Sequence, residues 1–359
     1  MTKVEIENRL RQFIEPHYGV DLLTAKAVKS IDVDGANVHL VIELGYAAQR
    51  YLDALQRALV AHLKSIVHSG EITIDIHVKI ATHAVQQNLK LLPNVKNIIA
   101  VASGKGGVGK STTAVNLALA LAQDGAKVGI LDADIYGPSV PMMLGLSGKP
   151  DSFDNKTMQP KVAFGVQTMS IGYLVAEDQA LIWRGPMVTT ALQQLLKETQ
   201  WDALDYLVID LPPGTGDIQL TLAQNIPVSG AIIVTTPQDI ALLDAQRGFG
   251  MFEKVNVPVL GLVENMSLHI CSQCGHEEAI FGSGGGAAMS DINKIDCLGQ
   301  LPLDIHIRQY ADSGEPIVVA QPDSRIAHIY QDIARKMAAR LALKPRDFSS
   351  KFPNIVVQS

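Results

Sequence analysis

Hydrophobic positions in the N-terminal part of the chain repeat with two different periods. Apolar side chains recur at helical spacing over residues 4–14 and again over residues 51–66. Residues 37–44 are rich in β-branched side chains, and residues 71–80 alternate strictly between polar and apolar positions. Strict alternation is typical of a sheet with one face in water. We therefore predict that helices and strands together form a small α+β domain over residues 1–81.

After a polar break, the pattern changes to short apolar runs separated by helical stretches. We predict that the break, residues 82–96, is a linker. The apolar runs that follow it cover residues 98–102, 128–131, 206–209, 231–234 and 259–263. Helical stretches between them include residues 111–123 and 187–198. Short buried strands that alternate with helices predict an α/β domain over residues 97–343, with a mostly parallel sheet flanked by helices. Residues 344–359 remain as a polar C-terminal tail.

Length, composition and charge narrow the class of protein. A chain of 359 residues exceeds the usual size of a single core, and 47% hydrophobic residues with only 5% aromatic ones suit buried parallel strands. The net charge of -6 and the lack of a long Lys/Arg run argue against nucleic acid as a partner. The N-terminus lacks the apolar core of a signal peptide, and no apolar run is long enough to span a membrane. We expect a cytoplasmic protein without a membrane partner.

A glycine-rich segment between the first apolar run and the next helical stretch fits the G-x-x-x-x-G-K-[ST] pattern. Its glycines let the backbone wrap a phosphate, and the N–H groups at the helix start attract anionic oxygens. Lys110 is placed to neutralise the β- and γ-phosphates, and the Ser111 hydroxyl to bind Mg²⁺. A glycine-rich turn with chance spacing is the alternative, but strand, loop and helix occur in the required order. The predicted ATP-binding residues here are Gly104, Lys105, Gly106, Gly107, Val108, Gly109, Lys110, Ser111 and Thr112.

Three carboxylates follow two of the predicted strands. Asp132 and Asp134 come directly after the second apolar run, and Asp210 comes after the third. Because the carboxyl ends of parallel strands meet at one edge of a sheet, we expect these side chains to lie near the glycine-rich loop. For each one alone, a solvated residue that ends a strand is an equally good interpretation. Together with the loop, they favour a nucleotide site.

The chain has three cysteines, and two of them are spaced for metal binding. Cys271 and Cys274 form a C-x-x-C pair, whereas Cys297 stands alone. A single pair supplies half of a four-thiolate site, so a two-fold dimer would complete it around one 4Fe-4S cluster or one zinc ion. A zinc knuckle that uses His269 or His276 is an alternative. A redox dithiol is less favoured because no thioredoxin-like context surrounds the pair.

These motifs together resemble the Mrp-type iron–sulfur cluster carriers, also called ApbC. This group is part of the deviant Walker A ATPases, which include the nitrogenase iron protein, MinD and ParA. The resemblance covers the ATPase part of the chain, and the N-terminal part resembles a small cluster-assembly accessory domain, here without a cysteine of its own. We assign that domain docking or regulation only. The matching segments are residues 104–112, 183–187, 210–217, 264–266 and 271–274.

The resemblance implies roles for individual residues. Lys105 would reach across a dimer to the partner's nucleotide and stabilise charge in the transition state. Asp210 would hold Mg²⁺ through water, in a segment similar to the Walker B motif and second switch, and Asp134 would orient the attacking water. Asn265 would help to hold adenine. The implied catalytic residues are thus Lys105, Lys110, Asp134 and Asp210.

We expect an ATPase that binds a 4Fe-4S cluster between two subunits and transfers it to apo-proteins. Its cofactors would be ATP, Mg²⁺ and the cluster, and its partners a second copy of the chain, apo iron–sulfur proteins and cluster-assembly scaffold proteins. One alternative is a positioning ATPase similar to MinD or ParA, which predicts a basic amphipathic C-terminal helix or a basic patch. Pro353 and the negative net charge argue against it. Another alternative is an ATPase with a structural zinc at the dimer interface.

Overall fold

The chain builds two main sheets, one of three strands near its N-terminus and one of eight strands after it, and two short hairpins. The computed structural model describes residues 2–87, 89–154, 156–174, 185–271 and 273–347. No helix in these ranges is long and apolar enough to cross a membrane. Residues 183–184, part of the segment 183–187 that resembles the carrier family, lie outside the described residues. The end of the C-terminal tail, including Pro353, also lies outside them.

The N-terminal unit, residues 3–78, is a three-stranded sheet covered by two helices. Strand β4 pairs antiparallel with β3 and parallel with β5. Strand β5 alternates between exposed and more buried side chains, which confirms the predicted wet face. The elements of this unit are α1 (Lys3–Leu10), β1 (Ile14–Glu15), β2 (Val20–Asp21), β3 (Val28–Asp34), β4 (Asn37–Leu44), α2 (Leu52–Leu63) and β5 (Ile72–Val78).

Two predictions for this unit need correction. The first helix ends at Leu10 rather than at residue 14, because Ile14 pairs with Asp21 in a small antiparallel hairpin. Strand β3 was not predicted, although its side chains alternate in polarity. It joins β4 through a turn at Gly35, whose φ of +60° favours glycine.

The large sheet has eight strands in the order β15-β12-β11-β6-β10-β7-β9-β8. All neighbours are parallel except β8, which runs antiparallel to β9 at one edge. The predicted α/β fold class with a mostly parallel sheet is therefore confirmed. The strands are β6 (Val95–Ala102), β7 (Val128–Asp132), β8 (Lys161–Ala163), β9 (Val166–Ser170), β10 (Leu204–Asp210), β11 (Gly230–Thr235), β12 (Val259–Glu264) and β15 (Cys297–Gln300).

Helices cover both faces of this sheet. Helices α3 and α11 pack on one face, in a core that continues into the N-terminal unit, and α5, α6 and α7 pack on the other. Side chains of β6 alternate between these cores, so the strand is buried on both faces as its composition predicts. The helices are α3 (Lys110–Gln123), α4 (Val140–Met143), α5 (Gly185–Glu198), α6 (Asp217–Asn225), α7 (Asp239–Lys254), α8 (Gly285–Asn293), α9 (Ile305–Asp312), α10 (Ile317–Ala320) and α11 (Arg325–Ala342).

All five predicted strands are present in the middle of the large sheet, but the strands towards its two edges were not predicted. Strand β6 begins at Val95, which pairs with Leu204, so the last two residues of the predicted linker belong to the sheet. The edge strands β8 and β15 were not among the predicted runs, and neither were β9, which lies between β7 and β8, and helix α11. Edge strands carry mixed polarity because they have one neighbour, as the burial of β8 shows. The division into domains at residues 81 and 97 stays a prediction.

Candidate functional site

The glycine-rich loop wraps the start of helix α3 at the carboxyl end of β6. Gly107 and Gly109 have φ values of +80° and +82°, in the left-handed region that favours glycine. Gly109 is the N-cap of α3, so the free N–H groups of the first helical turn face the loop. This arrangement is the phosphate-binding geometry that the sequence predicts.

Neighbouring segments hold the loop on two sides. The Asn265 side chain, directly after β12, donates from Nδ2 to the carbonyl of Val108 at 2.9 Å. A Cβ on Gly109 would collide with that Nδ2 atom, and a Cβ on Gly104 would collide with the backbone of Asp244 in α7. The loop therefore contacts β12 and α7 so closely that only glycine fits at both positions.

The remaining loop residues differ in exposure. Val108 is buried, Lys105 is half-buried and Gly106 is exposed. The Ser111 hydroxyl accepts a hydrogen bond from Lys110 Nζ at 3.3 Å, and the Thr112 carbonyl accepts one from Asn116 within α3. Among the described residues, the Lys105 side chain makes no ion pair.

Lys110 and two of the predicted carboxylates form a buried cluster. Lys110 Nζ donates to Asp210 Oδ1 at 2.5 Å and lies 3.6 Å from Asp134 Oδ2. Lys110 is 5% exposed and Asp210 is fully buried. The second oxygen, Asp210 Oδ2, is buried without a hydrogen-bond partner. An unpaired buried carboxylate oxygen is costly, so this atom is a natural ligand for a cation or an ordered water.

Burial sets the ionisation of these acids. It raises the pKa of Asp210, and the nearby Lys110 ammonium opposes that rise. Burial likewise raises the pKa of Asp134, again against Lys110. For Asp132, burial and then the charge of Asp210 raise the pKa to about 7. Three acids at the ends of two adjacent strands are thus destabilised as anions, as expected where a cation is to be bound.

Asp132 fixes the loop that carries Asp134. Its Oδ1 accepts from the backbone N–H of Asp134 at 3.1 Å, and its Oδ2 accepts from the N–H of Val140 at 3.2 Å and from Ser170 Oγ at 3.0 Å. Ser170 ends β9, the neighbour of β7, and was not predicted as a site residue. The available sequence signals did not identify it, because its position depends on the pairing of a strand far along the chain that was not predicted.

The segment after Asp210 passes directly beside the glycine-rich loop. The N–H of Gly214 donates to the Ser103 carbonyl at 2.9 Å, and Gly214 has a φ of +102°. The segment ends at Asp217, the first residue of α6. The predicted second-switch segment therefore lies against β6 and the loop that follows it.

The C-x-x-C pair lies in a small hairpin after β12. Strands β13 (His269–Ile270) and β14 (Glu277–Glu278) are antiparallel, and the Cys271 N–H donates to the His276 carbonyl at 2.9 Å. Cys274 is exposed and Cys271 is half-buried. Hydrogen bonds from the N–H groups of Cys274 and Gln273, and from the Cys274 thiol, hold the pKa of Cys271 below its usual value. This shift makes the thiolate, the form that binds metals, easier to form at Cys271.

One chain brings two cysteine thiols to this hairpin. Among the described residues, no group of three or more His, Cys, Asp or Glu side chains has the geometry of a metal site. The His269 ring faces the Leu303 carbonyl at 3.2 Å. Cys297 lies in β15, beyond α8, and is half-buried.

Comparison with known proteins identifies the family of the chain. A family described as NUBPL iron-transfer P-loop NTPase matches residues 94–338, which is more than half of the chain. The chain belongs to this family. A second family, described as iron–sulfur cluster assembly protein, matches residues 3–74. The predicted resemblance to iron–sulfur cluster carriers of the P-loop class is confirmed.

Individual members of the iron-transfer NTPase family are similar over most of the chain. An iron–sulfur cluster carrier protein from Salmonella typhimurium is 51% identical, with 94% of this chain and 91% of the relative covered. One from Pseudomonas fragi is 58% identical over 73% of this chain and 92% of its own length. A solved structure, the nucleotide-binding protein from Archaeoglobus fulgidus in complex with ADP, is 36% identical with a TM-score of 0.58. It covers 66% of this chain and 93% of its own.

Proposed function

We propose that the chain is an ATP-dependent iron–sulfur cluster carrier, which holds a 4Fe-4S cluster between two copies and transfers it to apo-proteins. The observation that carries the proposal is the short segment that joins the two halves of the site. Asn265 contacts the glycine-rich loop, and Cys271 follows in the same segment, after β13. A change at the nucleotide site can therefore reach the cysteine hairpin through a few residues of backbone.

The nucleotide half of the site would bind ATP through the loop N–H groups and Lys110. The buried pair of Lys110 and Asp210 must open so that the ammonium contacts the phosphates. Mg²⁺ would be held by the Ser111 hydroxyl and, through water, by Asp210, whose Oδ2 has no protein partner. This ion would neutralise charge on the phosphates.

Three further roles complete the proposal for hydrolysis. Asp134, held beside Lys110 by the Asp132 carboxylate, would orient the attacking water. Lys105 would contact the nucleotide of a second copy, which fits its lack of an ion-pair partner among the described residues. Asn265, next to the loop, would contact adenine. Hydrolysis then depends on dimer formation.

The cluster is the cargo of the reaction. Cys271 and Cys274 supply two thiolates, and the same pair from a second copy would supply the other two ligands of a 4Fe-4S cluster. The exposed position of Cys274 would leave the cluster accessible to an acceptor. The partners of the carrier would be apo iron–sulfur proteins and cluster-assembly scaffolds in the cytoplasm. The N-terminal unit would serve to dock partners or to regulate the ATPase and would not bind the cluster, since none of its residues is a cysteine.

Anaerobic reconstitution with iron and sulfide tests this function. The reconstituted chain is mixed with an apo-protein that has an empty four-cysteine site, with and without Mg-ATP, and cluster arrival is followed by absorbance. We expect transfer from the natural chain and none from Cys271→Ala, which should still bind ATP. The matched control is Cys297→Ala, which removes the cysteine outside the hairpin and should transfer normally.

Metal and sulfide analysis of the same preparation distinguishes a bound cluster from a bound zinc ion. About two irons and two sulfides per chain indicate a shared four-iron cluster, whereas half a zinc ion per chain without sulfide indicates a structural metal. Cluster retention by Cys271→Ala, or zinc as the bound metal after anaerobic purification, would contradict the proposal.

A further inference from the structure

Two buried ionisable side chains outside the nucleotide site and the cysteine hairpin lie where the N-terminal unit meets helix α11. Glu15 ends strand β1, and His17 lies in the hairpin between β1 and β2. Glu15 is fully buried and His17 is 3% exposed. Asp332 of α11 faces His17 from the other side of the junction. The nucleotide and cysteine sites use none of the three.

Both ring nitrogens of His17 face carboxylate oxygens. Nδ1 lies 3.1 Å from Glu15 Oε1, and Nε2 lies 3.2 Å from Asp332 Oδ1. A neutral imidazole carries a single N–H, whereas an imidazolium carries one on each nitrogen. Ionised carboxylates accept hydrogen bonds and cannot donate them. Only a protonated His17 can therefore bind both acids at once.

The buried carboxylate of Glu15 is prepared for this charge. Its Oε2 accepts from the backbone N–H groups of His17 at 3.0 Å and Tyr18 at 2.6 Å. Its Oε1 accepts from the Tyr46 hydroxyl at 3.0 Å. A carboxylate with three such donors remains ionised even when buried, and it then needs a cation nearby.

The other groups that face His17 are tyrosines, which carry no positive charge, so His17 itself is the cation beside Glu15. The rings of Tyr46 and Tyr51 contact its edge, with centroids 5.8 Å and 4.4 Å away, and the Tyr46 hydroxyl lies 3.3 Å from Nδ1. On α11, Asp332 also pairs with Lys336 at 2.7 Å. One imidazolium is thus shared by two acids that belong to different parts of the chain.

We propose that Glu15, His17 and Asp332, the His17 bridge, form a proton-dependent connection that holds the N-terminal unit against helix α11. The bridge is complete only while the imidazole is protonated. Loss of that proton removes the hydrogen bond from His17 to one of the two carboxylates, although each keeps its other donors, and weakens the contact between the unit and the helix.

The directions of the pKa shifts define the pH range in which the His17 bridge is complete. Burial alone would lower the pKa of His17, but its bonds to Asp332 and Glu15 outweigh burial and raise it. A raised histidine pKa gives stability that is complete below the ordinary value of about 6.5 and is lost as pH rises through the raised value. Burial alone would raise the pKa values of Glu15 and Asp332, but their hydrogen-bond partners lower them. The bridge therefore also fails in acid, as pH falls through those lowered values.

A second contact of α11 lies next to the bridge and reaches the nucleotide-binding helix. Arg335 donates two hydrogen bonds, at 2.7 Å and 3.1 Å, to Asp124, the C-cap of α3. The backbone N–H of Arg50, from the N-terminal unit, donates to the same carboxylate at 3.0 Å. Release of the His17 bridge would thus loosen the N-terminal unit at the far end of the helix that begins at the glycine-rich loop.

Hydrogen exchange of the full-length chain at pH 6.5 and pH 9, corrected for intrinsic exchange rates, tests the bridge. We expect protection of residues 14–22 and 45–51 to fall about tenfold between the two pH values. His17→Gln should show the low protection at both. The matched control is His39→Gln, which breaks an exposed pair with Asp75 inside the N-terminal unit and should behave like the natural chain.

Asp332→Asn keeps the inference testable if His17→Gln disturbs folding. This variant changes only α11, so residues 28–44 should stay protected while residues 14–22 lose protection at pH 6.5. Equal protection of the natural chain at both pH values, or natural protection in Asp332→Asn, overturns the proposal. Neither result depends on ATP or on a cluster, so the proposed carrier function is tested separately.

Discussion

At the scale of single residues, the two lysines of the glycine-rich loop have different surroundings and so different expected roles. Lys110 is buried against Asp210, whereas Lys105 is half-buried and makes no ion pair among the described residues. We predict that Lys110→Ala abolishes ATP binding. Lys105→Ala should instead bind ATP normally and lose hydrolysis by about 10²-fold or more, because it removes a charge needed only in the transition state.

Nucleotide-binding and single-turnover measurements on the two lysine variants check this difference. A Lys105→Ala protein that hydrolyses ATP at the natural rate would contradict the role of Lys105. Equal loss of binding in both variants would show that Lys105 contacts ground-state nucleotide instead.

The raised pKa of Asp132 predicts a pH dependence of stability. A carboxyl with a raised pKa binds its proton more tightly in the folded protein than in the unfolded chain. Its contribution is therefore complete below the ordinary value and is lost as pH rises to about 7. With about 1.4 kcal/mol per pKa unit, this loss amounts to a few kcal/mol. Asp132→Asn should thus gain stability relative to the natural chain between pH 5 and pH 8.

Urea unfolding of the natural chain and the variant across this pH range measures the effect. Asp151→Asn is the control, because Asp151 is exposed. If the difference in unfolding free energy between the natural chain and Asp132→Asn stays constant with pH, the buried carboxyl of Asp132 does not hold its proton as inferred.

Sequence alone could predict some site residues and not others. Lys110 and Ser111 follow from a motif whose spacing a phosphate site imposes, and Asp210 follows from its place at the end of a predicted parallel strand. Ser170 could not be found this way, since it reaches Asp132 from β9, a strand that was not predicted, 38 residues further along the chain. His17 likewise has no motif, because its partner Asp332 comes from near the other end of the chain.

At the scale of elements, the glycine-rich loop depends on its contact with the segment after β12. Gly109→Ala places a Cβ against Asn265 at a φ of +82°, whereas Gly107→Ala has a similar φ of +80° and open space around it. Left-handed backbone costs a non-glycine residue about 1–2 kcal/mol. We predict that loss for Gly107→Ala and a larger loss for Gly109→Ala.

Denaturant unfolding of these two glycine variants isolates the contact, since backbone strain is common to both. Gly109→Ala should also weaken ATP binding, because Asn265 would have to move from the Val108 carbonyl. Equal stability of the two variants would mean that the segment after β12 does not constrain the loop.

Elements buried on both faces were predictable, and elements at the edges were not. The central strands β6, β10 and β11 are continuous apolar runs because helices cover both of their faces. Strand β8 has a mixed pattern, and the first helix was predicted too long because Ile14 continues its apolar spacing into a hairpin. The periodicity of apolar residues reflects burial. Short elements at the edges of the fold are less buried, so their sequences show too weak a pattern to predict them.

At the scale of the whole molecule, the order of units follows from the sequence, but their contacts do not. The change from alternating to helical and continuous apolar patterns marks the start of the large sheet to within a few residues. The packing of the N-terminal unit against α3 and α11 includes polar contacts such as Arg50 N–H with Asp124 and His17 with Asp332, beside the shared apolar core. Such contacts join residues far apart in the chain, so no local sequence pattern predicts them.

A four-thiolate site requires two-fold symmetry, because one chain brings the two cysteines of the hairpin to a cluster. Native mass spectrometry of the anaerobically reconstituted chain measures this symmetry. We expect a dimer that carries four irons and four sulfides, and Cys271→Ser should remove this species while Cys297→Ser should retain it. A monomer that carries the whole cluster, or a chain that remains monomeric with every nucleotide and metal, would rule out a cluster shared between two chains.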